Sequence, residues 1–167
     1  IAYLKAFGEK HNLETKVDEA GNVLIKKPAT PGKENLKTVI LQSHVDMVCE
    51  KNNDTDHDFL TDPIETEIDG EWMKAKGTTL GADNGIGVAT ELAILADDSI
   101  EHGPIECLFA VDEETGLTGA FALKEGFMSG EILLNLDSED EGELYIGCAG
   151  GIDTVAEFQY ENEMTPI

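Results

Sequence analysis

Three mainly apolar runs of the chain end in polar side chains. They are TVILQSHVDMV at 38–48, IECLFAV at 105–111 and EILLNLD at 131–137. Apolar runs of this kind are typical of strands that are buried on both faces of a sheet. We therefore predict three buried strands, with polar side chains at or just beyond their carboxyl ends.

Helical patterns alternate with these strands. Helices are predicted in IAYLKAFGEKHN at 1–12 and in LTGAFALKEG at 117–126. Between them, the Gly-rich loop GTTLGADNG at 77–85 leads into IGVATELAILADD at 86–98. Apolar residues recur at helical spacing in that segment, which predicts a helix that packs on a sheet. The packing residues are predicted to be Ile86, Val88, Ala89, Leu92, Ala93, Leu95 and Ala96.

Shorter signals complete the pattern. The run NVLIKK at 22–27 predicts a strand, and IETEIDGEWMKA at 64–75 predicts an edge hairpin with its turn at Asp69-Gly70. Two further strands are predicted in ELYIGCA at 143–149 and GIDTVAEFQY at 151–160. Together the elements predict an α/β fold with a central mixed, mostly parallel sheet, an antiparallel edge and flanking helices.

The net charge of the chain argues against some classes of binding partner. It has 11 Lys and Arg against 35 Asp and Glu in 167 residues, so the formal net charge is -24. Such a charge repels nucleic acid phosphates and anionic membrane surfaces, and it attracts cations. No apolar stretch reaches the length of a membrane-spanning helix. We therefore expect neither a nucleic acid nor a membrane as partner.

The cysteines indicate a reducing environment. Cys49, Cys107 and Cys148 form no closely spaced framework, and two of them lie in apolar, strand-like runs. We therefore predict that they are buried and reduced, which favours the cytoplasm.

Four candidate sites fall at the predicted carboxyl edge of the sheet, where ligands of such folds gather. They combine one imidazole with several carboxylates, a donor set that suits Zn²⁺, Mn²⁺ or Co²⁺. Glycines would allow the loop at 77–85 to approach a metal closely. The sites are His44 with Asp46, Asp83, the pair Glu113-Glu114, and Asp137.

Two neighbouring pairs suggest a division of roles. In a strand, His44 and Asp46 would point to the same face, so the carboxylate could orient the imidazole. In an extended chain, the adjacent Glu113 and Glu114 would point apart, so one could bind metal while its neighbour acts as a general base.

Four stretches of the chain resemble a known family. LQSHVDMV, GTTLGADNG, DEETGLTGA and NLDSEDEGELYIGCAGG are similar, in order and spacing, to the motifs of the dinuclear zinc peptidases of the M20 family. Within that family they most resemble the aminoacyl-histidine dipeptidases. A related zinc aminopeptidase family shares a His-x-Asp and a string like EETGLTGA. The stretches NLDSEDEG and IGCAGG favour the dipeptidases.

The resemblance implies a function and a role for each motif residue. The activity would be metal-dependent hydrolysis of dipeptides such as β-alanyl-histidine. Two zinc ions would be bound, with Asp83 bridging them, and cobalt or manganese would also suit the ligands. His44 and Asp137 would bind one ion and Glu114 the other. Asp46 would orient His44, and Glu113 would be the general base.

The chain also departs from the family pattern. Those enzymes use a further ligand histidine far downstream and an inserted lid or dimerisation domain, whereas all four histidines here precede Glu113. We therefore expect residues 1–167 to be the N-terminal part of a metallopeptidase catalytic domain, with weak metal binding and little activity alone. A homodimer is expected for the complete protein. The alternative interpretations are a non-catalytic metal-binding or interaction module, and a zinc aminopeptidase or amidohydrolase of related fold.

Overall fold

The computed structural model describes residues 1–138, 140, 142–152 and 154–161. The positions left out include Glu139 and Glu141, which belong to one of the motifs, and Asp153, which belongs to one predicted strand. Two compact units divide the chain, Ile1–Asp137 and Ser138–Ile167.

The first unit contains three helices and seven strands among the described residues. In chain order they are α1 (Ala2–Lys10), β1 (Glu14–Val17), β2 (Val23–Lys27), β3 (Val39–His44), β4 (Thr66–Asp69), β5 (Trp72–Ala75), α2 (Ala82–Ala96), β6 (Ile105–Ala110), α3 (Thr118–Ala122) and β7 (Ile132–Asn135). None of the helices in this described part is long and apolar enough to cross a membrane.

Five strands form one sheet in the order β1-β2-β6-β3-β7. The strand β3 lies parallel to both β6 and β7, whereas β1, β2 and β6 pair antiparallel. The predicted α/β fold with a mixed sheet and an antiparallel edge is therefore confirmed. Contrary to the prediction, the sheet is not mostly parallel, since it has two parallel and two antiparallel pairings. The second antiparallel pairing comes from the edge strand β1, which was not predicted. Its sequence, ETKV, lacks an apolar face.

The central strands of the sheet are covered on both faces, by α1 and α2 on one and by the segment after α3 on the other. Alternate residues of the central strands, such as Ile25, Leu41 and Phe109, are buried in a core with residues of α1 and α2. Their neighbours Leu24 and Leu108 face the other side, where the segment after α3 packs. Strands covered on both faces explain the continuous apolar runs of β3 and β6. The third strand predicted to be buried, β7, is exposed along its whole length, so that prediction is wrong.

The packing of α2 differs from the prediction. Its buried residues are Asn84, Gly87, Glu91 and Leu95. Ile86, predicted to pack on the sheet, is 68% exposed. The buried stripe is therefore set by polar and small residues at the start of the helix, which a count of apolar positions does not detect.

Three further predictions are wrong. The hairpin β4–β5 forms a separate two-stranded sheet and does not lie at the edge of the main one. In the second unit, the described residues of 143–160 form no strand. Apolar side chains there, such as Leu144 and Ile146, are exposed, so the alternation has no sheet to pack on. Cys148 is also exposed, as is Cys49, although all three cysteines are free as predicted.

A buried ion pair fixes the segment that leads into β7. The Glu106 carboxylate on β6 lies 2.6 Å from the Lys26 Nζ on β2. It also accepts the backbone N–H groups of Ser129 and Gly130 at 2.8 and 3.1 Å. Burial alone would raise the pKa of Glu106, but these partners outweigh it and lower the pKa to about 2. The network anchors the chain just before β7, and so helps to place Asp137 beyond that strand.

Candidate metal centre

The candidate residues converge where three parallel strands end. His44 is the last residue of β3, and the carboxyl ends of β6 and β7 lie on either side of it. The chain leaves β6 at Ala110 towards Glu113, and it leaves β7 towards Asp137. A cavity of about 60 Å³ lies here, bordered by His44, Glu113 and Asp137. The predicted gathering of polar side chains at this edge is therefore present in the structure.

His44 is buried and is held from both ring nitrogens. Its Nδ1 lies 3.0 Å from the backbone oxygen of Asp46, and its Nε2 lies 3.0 Å from the Asp83 Oδ1 and 3.5 Å from the Asp137 Oδ1. A carbonyl oxygen can only accept, so Nδ1 carries a proton. The lone pair of a neutral His44 would then face two carboxylate oxygens. A positive charge at Nε2, either a proton or a metal ion, removes that repulsion.

The negative charges around His44 also favour a positive charge on its ring. Burial of the ring by itself lowers the pKa of His44. The hydrogen bond to Asp83 and the charges of Asp137 and Asp46 outweigh burial, so that the pKa is raised above its usual value. The pocket therefore favours a cation at this position.

The side chain of Asp46 binds the backbone of the acidic pair, Glu113 and Glu114. Its Oδ1 accepts the N–H of Glu113 and its Oδ2 accepts the N–H of Glu114, both at 3.1 Å. The two glutamates were predicted to point apart, but a carboxylate oxygen of each lies within 4.8 Å of the other and of a His44 nitrogen. The reason is that the strand has already ended at Ala110, so the alternation of an extended chain does not apply.

The residue before this pair orders the turn. Asp112 has a positive φ of 54°. Its carboxylate accepts hydrogen bonds from the hydroxyls of Thr115 and Thr118. Asp112 thereby ties the glutamates to the start of α3, which is a structural role.

Asp83 lies at the entrance to α2, in the Gly-rich loop. Gly81 has a φ of 80°, a conformation that suits glycine. Asp83 is not helical and is 54% exposed, and the peptide bond to Asn84 is cis. The Asn84 Nδ2 donates to the Leu136 carbonyl oxygen at 3.0 Å and to the Asp137 Oδ1 at 2.5 Å. Asn84 thus joins the loop to the end of β7, a role that the sequence did not indicate.

The candidate ligand atoms form two groups around His44. One group contains His44, Asp83 and Asp137, and the other contains His44, Glu113 and Glu114, with all atoms of a group within 4.8 Å of one another. An imidazole with carboxylates suits a divalent transition metal. Among the described residues, no such group contains both Asp83 and Glu114. A bridging role of Asp83 towards Glu114 therefore stays a prediction.

Glu113 has a perturbed carboxyl group. Partial burial raises its pKa, and the nearby charges of Asp137, Glu114 and Asp46 raise it further, although His44 opposes them. Crowded carboxylates of this kind are frequent at functional sites, and a cation between them relieves their repulsion.

The fold and this centre define the class of protein. The family model of the peptidase family M20/M25/M40 matches residues 40–161, and the chain belongs to that family. Peptidases of this family are metal-dependent, and the His44 cluster is a candidate metal-binding group.

Individual relatives are similar over most of the chain. It is 53% identical to the cytosol non-specific dipeptidase of Escherichia coli over 98% of its own length and 34% of that protein. The structure of aminoacylhistidine dipeptidase from Vibrio alginolyticus matches 87% of the chain at 60% identity, with a TM-score of 0.84, and 30% of that chain is covered. Aminopeptidase PepT from Bacillus cereus matches 82% of it at 28% identity, with a TM-score of 0.66 and 38% of that chain covered. The chain thus spans about a third of the length of these relatives.

Proposed function

We propose that this chain supplies a metal centre for the hydrolysis of dipeptides. The substrates would be dipeptides of the Xaa-His type, such as β-alanyl-histidine. Support comes from membership of the peptidase family and from the names of two similar proteins, a non-specific dipeptidase and an aminoacylhistidine dipeptidase.

One observation carries the proposal. The Nε2 of a buried histidine faces the carboxylates of Asp83 and Asp137 at 3.0 and 3.5 Å, while its other nitrogen is engaged by Asp46. This arrangement favours positive charge at Nε2, and within the described residues the carboxylates of Asp46, Asp83 and Asp137 form ion pairs with His44 alone. His44, Asp83 and Asp137 would hold one metal ion, and Glu114 would contribute to a second.

The ions would supply positive charge that polarises the scissile carbonyl and lowers the pKa of an attacking water. Two zinc ions are proposed, and the same donors suit cobalt and manganese.

Side chains of the protein would transfer the proton of the attacking water. Glu113 would take a proton from the attacking water with its free carboxylate and then donate it to the leaving amine. Asp46 would hold Glu113 in place through the backbone N–H and would keep the proton of His44 on Nδ1. The Nε2 of His44 would thereby stay available as a ligand.

The proposal includes a larger catalytic unit. Because the chain spans about a third of its relatives, we propose that it is the N-terminal part of a metallopeptidase catalytic domain. A further ligand histidine and a lid domain would belong to the rest of that unit. The homodimer of the complete protein and its cytoplasmic location stay predictions.

The test is a substitution at Glu113. Glu113→Gln keeps the size of the side chain and the backbone N–H that Asp46 accepts, but it cannot take up a proton. Hydrolysis of β-alanyl-histidine and of a tripeptide is measured on this chain and on the longest product that its gene encodes. We expect the longest product to cleave the dipeptide and its Glu113→Gln variant to lose about 100-fold or more in turnover, whereas residues 1–167 alone should have little activity. Its metal content should be unchanged.

The matched control is Glu125→Gln, an exposed glutamate that lies just after α3. It should hydrolyse the dipeptide like the unmodified protein. Normal turnover in Glu113→Gln would contradict the general-base role. Cleavage of the tripeptide alone would favour an aminopeptidase, and metal binding without any hydrolysis by the longest product would favour a non-catalytic module.

A further inference from the structure

The buried face of α2 contains a carboxyl group without a partner. Glu91 is 0% exposed, yet neither of its carboxyl oxygens has a hydrogen bond within the described residues. The same holds for the Ser43 Oγ and the Asn84 Oδ1. Unsatisfied buried polar atoms are rare and costly, so four in one helix–sheet interface call for an explanation.

These atoms belong to one cluster, which consists of Ser43, Asn84 and Glu91. A Cβ added to Gly87 would lie 1.8 Å from the Asn84 Oδ1 and 3.0 Å from the Ser43 Cβ, so both side chains pack against Gly87. Glu91 is four residues further on, on the same face of α2. The Ser43 hydroxyl lies beside its carboxyl group, although the two do not form a hydrogen bond of good geometry as placed.

The number of hydrogen-bond donors in the cluster decides whether the ionised or the neutral carboxyl group of Glu91 fits. An ionised carboxylate and an amide oxygen only accept hydrogen bonds, so the Ser43 hydroxyl would be the single donor for the other three oxygens. A neutral carboxyl group adds a second donor. Burial also raises the pKa of Glu91, to about 9, with the Ser43 hydroxyl opposing the rise. A neighbouring titratable group is the buried Cys107 on β6, on which the charges of both Glu91 and Lys27 act.

The cluster lies directly behind the candidate ligands. Ser43 precedes His44 in β3, and Asn84 follows Asp83 at the start of α2. Asn84 also donates to Asp137, so a shift of its side chain would move a third carboxylate. The cluster therefore connects α2 with every residue of the first candidate ligand group.

We infer that Glu91 is a positioning residue of the metal centre. Its neutral carboxyl group donates a hydrogen bond within the Ser43–Asn84–Glu91 cluster, which holds His44 and Asp83 in place relative to each other. This inference rests on the proposed metal site. Groups that orient ligands from behind typically change metal affinity by about 10- to 100-fold when they are removed.

The experiment is a titration of the metal-free protein with Co²⁺, followed by visible absorption. Glu91→Ala removes the donor and should weaken Co²⁺ binding by about 10-fold or more. Glu91→Gln keeps an N–H donor without a charge and should stay within about 3-fold of the unmodified protein. The control is Leu95→Ala, which opens a cavity one turn further along the same buried face. It should lose stability but keep its Co²⁺ affinity.

A second variant covers the case in which Glu91→Ala does not fold. Ser43→Ala removes the partner hydroxyl with little change in volume and should weaken Co²⁺ binding to a similar extent. Infrared difference spectra between the unmodified protein and Glu91→Gln at neutral pH should also contain the carbonyl band of a neutral carboxyl group.

The outcomes separate this inference from the proposed function. If the unmodified protein binds no Co²⁺, the metal centre is wrong and the inference falls with it. If that protein binds Co²⁺ but folded Glu91→Ala or Ser43→Ala binds equally well, only the role of Glu91 is overturned. Equal weakening in Glu91→Gln and Glu91→Ala, or the absence of the neutral carboxyl band, would also overturn it.

Discussion

Asp46 offers a direct test of how the acidic pair is held. Its two carboxylate oxygens each accept one backbone N–H, from Glu113 and from Glu114, at 3.1 Å. Asp46→Asn has the same shape, but one of its two terminal groups is an NH₂ that can only donate. Whichever way the amide turns, one N–H loses its acceptor and meets a donor.

The expected cost follows from these contacts. A hydrogen bond to a charged acceptor contributes about 1.5–3 kcal/mol, and the 27% exposure of Asp46 lets water replace part of it. We therefore expect Asp46→Asn to lower the free energy of unfolding by about 2 kcal/mol. For a chain of this size, that corresponds to a fall of roughly 4–8 °C in Tm.

The assay is urea denaturation of the metal-free protein, so that loss of metal binding does not contribute. The control is Asp54→Asn, which removes the same charge from an exposed loop residue. It corrects for the reduced repulsion in a chain with a net charge of -24. A free energy of unfolding for Asp46→Asn equal to or above that of the control would refute the reasoning.

Two further predictions concern the supports of the site. The pKa of Glu106 is lowered from 4.5 to about 2 on folding, so its contribution is present above pH 4.5 and is lost as the pH falls towards about 2. Glu106→Gln should therefore be less stable than the unmodified protein by up to about 3 kcal/mol near pH 7, and the difference should shrink in acid; a constant difference in urea denaturation between these pH values would contradict this. Gly119→Ala would place a Cβ 2.1 Å from the Val111 carbonyl oxygen and should lower the free energy of unfolding by about 1–3 kcal/mol. Gly147→Ala, where a Cβ meets nothing within 4 Å, is the control in thermal unfolding, and equal Tm values would count against the close packing of α3.

The gathering of the candidate residues could be predicted because it depends on strand direction alone. Once three parallel strands are recognised, His44, Glu113 and Asp137 must lie near one edge of the sheet. The apolar runs of β3 and β6 are continuous because both faces of these strands are covered, whereas the run of β7 is apolar although that strand is exposed. The position of the site was therefore accessible from local patterns.

The contacts inside the site could not be predicted from such patterns. Asp46 was expected to orient His44 through its carboxylate, and the Asp46 Oδ1 lies 3.5 Å from the His44 Nδ1. The same carboxylate also holds two backbone N–H groups, and the backbone oxygen of Asp46 lies nearer to the Nδ1, at 3.0 Å. Such contacts depend on turns, where each residue takes its own backbone angles. Glu91 was missed for a different reason. A charged residue at helical spacing is assigned to the exposed face unless a buried partner is known.

The wrong strands at 143–149 and 151–160 have a physical cause as well. Alternating apolar residues favour a strand only if a neighbouring strand takes its backbone hydrogen bonds and a core takes one of its faces. In the described part of these segments neither is present, and side chains such as Ile152 and Phe158 are exposed.

The most direct test of the proposed metal centre is anomalous diffraction at the zinc edge from crystals of the zinc-loaded protein. We expect one peak bordered by the Nε2 of His44 and the carboxylates of Asp83 and Asp137, and a second beside Glu114. No peak at His44 in the zinc-loaded crystal, or zinc bound only elsewhere on the protein, would contradict it.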